Sequence, residues 1–202
     1  MQPFSIVTGV AAALPAANVD TDVIMPKQFL KGVDRSGLDR GVFHDQRFDN
    51  AGAVRPDFVL NRDPWCNAKF LVVGPNFGCG SSREHAVWGL GQLGIRVLIG
   101  TSFAGIFFDN CARNGVLGIT LDEASTRRIS ELATDPATCQ LTVDLPGQRV
   151  LLADGSVVSF EIEPGRKQAL VLGLDAVGAT LQDRAAITSF EHSYLVENPW
   201  LA

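Results

Sequence analysis

The chain has 202 residues, and its 17 basic side chains against 22 acidic ones give a net charge of −5, which argues against nucleic acid as a main partner. Hydrophobic residues reach 46%, enough for one compact core, while charged residues are only 19%, a lean value that hints at surface covered by a partner. No apolar run approaches the ~20 residues of a membrane helix, and the start lacks the basic region of a secretory signal. These features predict a soluble, cytoplasmic protein forming a single domain over residues 1–202.

Up to about Leu60 the chain is rich in Gly, Asp and Pro, and it reads as loops around a short strand at residues 4–7 and a short helix near 27–31. The long irregular stretch 27–55 predicts mobility in the isolated chain. From Lys69 the pattern sharpens. Residues 69–73 form a β-branched and aromatic run ended by Gly74-Pro75, the signature of a buried strand. A glycine-rich turn leads into a helix over 82–93, stopped at Gly94, and the next strand covers 95–99. Ser102 is placed to cap a helix through Cys111 that stops at Asn114-Gly115, and a third strand follows at 116–121. Strand–helix–strand alternation predicts parallel βαβ units. Residues 140–145, 149–152 and 157–163 alternate apolar and polar side chains around Pro146-Gly147 and Asp154-Gly155, predicting antiparallel hairpins. A final helical region begins near Gln168 or Asp175. The fold class is α/β, a mixed sheet with parallel βαβ units plus antiparallel hairpins.

Cys66, Cys79, Cys111 and Cys139 are widely spaced, with no C-x-x-C pair and no Cys/His cluster. Neither a disulfide framework nor a metal site held by this chain is expected. Three of them read as small core residues, and Cys79 stands out through its neighbours.

Those neighbours, from Asn76 to His85, carry the densest group of unusual residues: Asn-Phe-Gly-Cys-Gly-Ser-Ser-Arg-Glu-His. The segment lies between the carboxyl end of a strand and the amino end of a helix, where free N–H groups favour an anion. Ser81, Ser82 and Arg83 add hydroxyls and a fork suited to a carboxylate or phosphate. The same residues also fit a structural capping box, Ser81 with Glu84. Both readings stand on the residues alone. Arg83 occupies the place of the third glycine of a dinucleotide loop, and no Gly-Lys-Ser/Thr follows, so nucleotide fingerprints are absent. A second group, Asn18-Val-Asp-Thr-Asp22, offers two carboxylates that suit turns better than a metal, since no third ligand is nearby. His44, His85 and His192 lie far apart in the sequence and read as structural, His85 being the nearest to the turn.

Taken together, the Asp20-Thr-Asp22 segment with Ile24-Met-Pro26 and Gln28-Phe-Leu30, and the string from Asn76 to Ala86, resemble the small subunit of 3-isopropylmalate dehydratase, in the aconitase superfamily. The likeness continues through Ser102-Phe-Ala104, Asn110, Asn114-Gly-Val-Leu117 and Leu172-Gly-Leu-Asp175 to Thr180-Leu181. Gly105 departs from it, standing where the family pattern has Asp, which bears on local packing.

The resemblance implies a swivelling β/β/α domain of the aconitase C-terminal type. It implies a hydro-lyase of leucine biosynthesis, moving a hydroxyl between adjacent carbons by dehydration and rehydration. The partner is a large subunit that bears a 4Fe-4S cluster, this chain binds no cofactor itself, and the substrate is a small dicarboxylate. By the same resemblance Ser81 is the base, acting as an alkoxide stabilised by Arg83, the turn amides and the helix amino end. Arg83 also pairs with a substrate carboxylate, and Asp22 orients site groups with Asp20 beside it. Ser82 and Gly80 are placed at the substrate. Phe29, Leu30 and Val33 offer apolar surface for an isopropyl group, and Arg35 a charge for the distal carboxylate. Homoaconitase or another substituted-malate dehydratase is the alternative within the class. A non-catalytic anion-binding module is the alternative outside it, opposed by the joint presence of Ser81, Arg83 and Asp22.

Overall fold

A computed structural model describes residues 1–32 and 35–201. Among them, seven strands form one sheet in the order β4-β3-β2-β1-β5-β6-β7. The parallel half comprises β1 (Ile6–Leu14), β2 (Phe70–Val73), β3 (Val97–Gly100) and β4 (Leu117–Thr120). The antiparallel half adds β5 (Gln140–Asp144), β6 (Arg149–Leu151) and β7 (Val157–Ser159). The mixed sheet expected from the sequence is present.

β1 joins the two halves. Its first part pairs with β5, Ile6 opposite Asp144 to Val10 opposite Gln140, and its second part pairs with β2, Ala11 opposite Phe70 to Leu14 opposite Val73. The strand is longer than the residues 4–7 expected, because Gly9 and the alanines that follow are weak strand formers. Packing overrides that preference. Ala11 and Ala12 are fully buried, and a Cβ at Gly9 would collide with the Lys69 side chain.

Side chains alternate across the sheet, so β2 sends Phe70 and Val72 to one core and Leu71 and Val73 to the other. The second core is closed by α3 (His85–Gln92) through Ala86 and Leu90 and by α4 (Gly105–Arg113) through Phe107 and Cys111. The first is closed by α5 (Glu123–Ala133), through Ile129 and Ala133, and by Leu170 of α6 (Pro164–Leu172). α5 is not among the elements expected from the sequence, although Asp122 caps it by accepting from the Ser125 amide at 2.8 Å. α6 begins at Pro164, earlier than expected, because Glu163 accepts from the amides of Gly165 and Arg166. Ser102 does not cap α4; Ala104 holds that position, and the Ser102 hydroxyl accepts from the Asn76 amide at 2.9 Å. Gly105 opens α4 with nothing within 4 Å of where a Cβ would stand, so the departure there carries no packing role.

The stretch between α1 (Thr21–Ile24) and β2 is a string of single turns, including α2 (His44–Arg47). Leu38, Val42 and Phe43 in it are buried, and Phe43 donates its amide to the Ile24 carbonyl at 2.8 Å. Residues 38–43 are thus anchored on the core, while residues 49–57 are exposed. Cys111 and Cys139 are buried as expected, while Cys66 is exposed. After α6, α7 (Ala176–Leu181) and α8 (Arg184–Glu197) leave Val177, Leu181, Phe190, Tyr194 and, beyond them, Trp200 exposed.

Acidic turns tie the antiparallel half together. The Gly147 amide and then Arg149 hold the Asp144 carboxyl below the usual carboxylate range. The Ser156 hydroxyl and amide, with Arg128, take Asp154 down to about 2. A depressed carboxyl contributes stability above its unfolded value of about 3.9 and loses it as pH falls through the folded value. Melting temperature should therefore drop between about pH 4 and about pH 2, and Asp154→Asn should fall less steeply. A constant gap between wild type and Asp154→Asn across that range would refute the assignment.

Candidate active site

The two motifs meet because β1 and β2 are adjacent parallel strands whose carboxyl ends point the same way. Asn18 to Asp22 follows the end of β1, and Asn76 to Arg83 follows the end of β2. Backbone bonds lace them together: Gly78 N–H donates to the Val19 carbonyl at 2.8 Å, and Thr21 N–H to the Cys79 carbonyl at 2.7 Å. The Ser81 amide donates to the buried Thr21 hydroxyl at 3.0 Å. Two glycines make the close approach possible. Gly80, at φ +98°, faces the Asp20 carboxylate where a Cβ would collide, and Gly78, at φ +78°, faces the Phe107 ring.

On this scaffold Ser81, Arg83 and Asp22 form one bonded array. Arg83 Nε donates to Ser81 Oγ at 2.8 Å and Nη2 to Asp22 Oδ1 at 3.1 Å. The Arg83 amide also donates to Ser81 Oγ, at 3.3 Å. Lys27 Nζ stands 3.3 Å from the other Asp22 oxygen. Asp20 Oδ1 accepts from the Asp22 amide at 2.6 Å, starting α1 and aiming Asp22 at the two cations.

Several expectations change. The capping box does not form: α3 starts at His85, its N-cap Glu84 makes no side-chain cap bond, and Ser81 Oγ accepts from Arg83 instead. Two of the turn amides, those of Gly78 and Ser81, hold the first motif rather than an anion. Arg83 gives its Nε to Ser81 and an Nη2 donor to Asp22, and its side chain is 44% exposed. Lys27, with 75% of its side chain exposed, is the freer cation. Nothing in its sequence context marks it for a role.

The remaining expected residues divide. Gly80 and Ser82 lie in the turn and are exposed beside the array. Phe29 and Leu30 sit on the 3-10 turn Lys27–Leu30, half-buried against the core, with the Phe29 ring 4.9 Å from His44. Arg35 stacks its guanidinium 4.1 Å over the Trp88 ring, and its carbonyl accepts from Gln92. Phe29, Leu30 and Arg35 thus spend these contacts on the core and on α3 rather than on the array. Val33 lies outside the described residues. His85 stacks on Trp88 at 4.8 Å.

The array is open to solvent, with 44% of the Arg83 side chain and 37% of that of Asp22 exposed. A cavity of about 890 Å³ lies between α5 and the ends of β2 and β3, and none of Ser81, Arg83 and Asp22 lines it. Two charges 4 Å apart interact by about 1 kcal/mol in water and about 4 kcal/mol at an effective dielectric constant of 20. The geometry suits stabilisation of an oxyanion at Ser81 Oγ, and the exposure leaves it weak until something covers it.

The cysteines of this chain do not fit a cluster. Cys111 and Cys139 are buried, Cys66 is exposed on another turn, and the Cys79 thiol donates to the Asn18 carbonyl at 3.4 Å. Among the described residues, no group of three His, Cys, Asp or Glu stands close enough to hold a metal. No helix of the described residues is long and apolar enough to cross a membrane.

Comparison with known proteins gives the family. Residues 1–124 match the family model of the aconitase C-terminal domain. Residues 129–164 match that described as LeuD_N, and residues 177–202 that of the C-terminal domain of the 3-isopropylmalate dehydratase small subunit. The chain is 58% identical over 201 residues to "3-isopropylmalate dehydratase small subunit 1" of Mannheimia succiniciproducens, covering 100% of this chain and 99% of that one. It is 51% identical over 201 residues to "3-isopropylmalate dehydratase small subunit 2" of Salmonella typhimurium, covering 100% and 96%. A crystal structure of 3-isopropylmalate dehydratase (leuD) from Methanocaldococcus jannaschii shares the fold, with a TM-score of 0.66 and 24% identity over 92% of this chain and 99% of that one.

Proposed function

The chain belongs to the family of 3-isopropylmalate dehydratase small subunits, and from that premise we infer that the Ser81–Arg83–Asp22 array is its contribution to a shared active site. The protein is the small subunit of a hydro-lyase that works with a large subunit. The reaction interconverts 2-isopropylmalate and 3-isopropylmalate by dehydration and rehydration, a step of leucine biosynthesis. Its place is the cytoplasm, where free thiols such as the four cysteines here persist.

One observation carries the reading: Ser81 Oγ accepts two donors from Arg83, at 2.8 and 3.3 Å, on a surface too wet to use them alone. Ser81 takes the proton from the carbon beside a substrate carboxylate and returns it on rehydration. Arg83 Nε and its amide stabilise the alkoxide form, while Asp22 keeps the guanidinium pointed at Ser81. Lys27 binds a substrate carboxylate. By closing over the array, the large subunit excludes water and strengthens these interactions. It also holds the 4Fe-4S cluster, which this chain's cysteines cannot bind and which supplies Lewis-acid chemistry at the leaving hydroxyl. The exposed apolar side chains of α7 and α8 are surface of the kind that a contact between subunits covers.

Combining this chain with a cognate large subunit, its cluster intact, should give isomerase activity that neither part shows alone. Ranking a panel of substituted malates by kcat/KM should put isopropylmalate first. A homoaconitate or methyl-substituted malate ranked first would move the substrate while leaving the half-site reading in place. A properly assembled complex inactive on every member would end it.

A further inference from the structure

We infer that Asn110 is a positioning residue for this reaction, acting on Ser81 through the peptide bond between Ser82 and Arg83. The inference rests on Ser81 being the base. Asn110 lies on the core-facing side of α4, 6% exposed, between the buried Phe107 and Cys111. An amide on such a face is costly unless bonded. Its Nδ2 donates to the Ser82 carbonyl at 3.2 Å. That carbonyl belongs to the same planar unit as the Arg83 N–H, which donates to Ser81 Oγ at 3.3 Å.

The 82–83 bond is trans, so its C=O and N–H point in opposite directions. Pinning the oxygen from the core side therefore aims the N–H outward at Ser81 Oγ. Donation into the carbonyl also polarises the peptide and strengthens the outward N–H as a donor. The pin is itself held. The Asn110 backbone carbonyl accepts from the Asn114 side chain at 2.8 Å, and Asn114 Oδ1 accepts from Trp88 Nε1 at 3.0 Å. Trp88 belongs to α3, which begins just after the turn. α3 and α4 are thus tied to each other through Asn114, which also bonds the residue that fixes the turn.

The test uses the complex with the large subunit. Asn110→Asp keeps the shape and removes the donor, and Asn110→Leu removes it without adding charge. Either should lower kcat by about 10–100-fold, the usual effect of a residue acting through another, with KM within about twofold. The rise of kcat with pH should also move upward, by about one unit for each tenfold weaker hold on the alkoxide. In a Ser81→Ala background neither substitution should reduce turnover further. Unchanged kcat and pH profile in an assembled variant would overturn the inference. So would failure of both variants to fold, which would leave Asn110 to packing alone. Normal turnover in Ser81→Ala would instead remove the reading beneath it, so the two failures are distinguishable.

Discussion

Ser81→Ala, assembled with the large subunit, should lose turnover by about 10²–10⁴-fold, the range expected when a general base is removed. The substitution deletes only Oγ. The backbone tie from the Ser81 amide to Thr21 Oγ1, 3.0 Å long, survives, and so do the bonds of Gly78 and Thr21 that lace the two motifs. Assembly and melting temperature should therefore stay near wild type, and KM should change far less than kcat. Arg83 would lose the acceptor of its Nε and amide and keep Asp22. Steady-state kinetics with gel filtration of the complex separate the two effects. Turnover within a few-fold of wild type would eliminate Ser81 as the base.

Arg83→Lys should cost about 10²–10³-fold in kcat despite preserving the charge, as expected for loss of a preorganised donor. The guanidinium spans Ser81 Oγ and Asp22 Oδ1 at once, at 2.8 and 3.1 Å, which a single ammonium cannot do. Asp22→Asn should cost less, since the amide oxygen still accepts. The double variant should cost less than the sum, because both changes act on one contact. Folding stability should move by less than about 1 kcal/mol, the pair being well exposed in this chain. Retained turnover in Arg83→Lys would show that the bridging geometry is unused.

Much of this architecture is legible in the sequence. The runs at Phe70–Val73, Val97–Gly100 and Leu117–Thr120 are largely apolar, and they are strands because their side chains pack on both faces of the sheet. β1 is harder to read since its alanines owe their conformation to neighbours distant in the chain, Phe70 and Val72 among them. α5 carries a helical period in Thr126, Ile129 and Ala133, and Asp122 and Ser125 announce its start, yet its many polar residues hide the stripe.

Within the site, residue types point to Ser81, Arg83 and Asp22, but not to their bonding. Whether Ser81 caps a helix or meets Arg83 depends on where α3 starts, and both outcomes fit the same letters. Lys27 is hidden by the bend at Pro26 that brings it back to Asp22. Phe29 looks like a binding surface because its exposure is set by Gly41 and His44, partners that no local pattern reveals. Asn110 does leave a trace, as an amide at helical spacing between Phe107 and Cys111.

The chain leaves the sheet after β1 and comes back to the adjoining strand β2, and both halves of the array hang from those two fixed points. The intervening excursion carries Asp22 and Lys27 near its start and the buried Leu38, Val42 and Phe43 further on, so its exposed outer part, residues 49–57, is where length can change while the attachment posts stay put. A graft of the excursion between relatives therefore transplants Asp22 and Lys27 with it, and must keep both for the acid–base machinery to go on working.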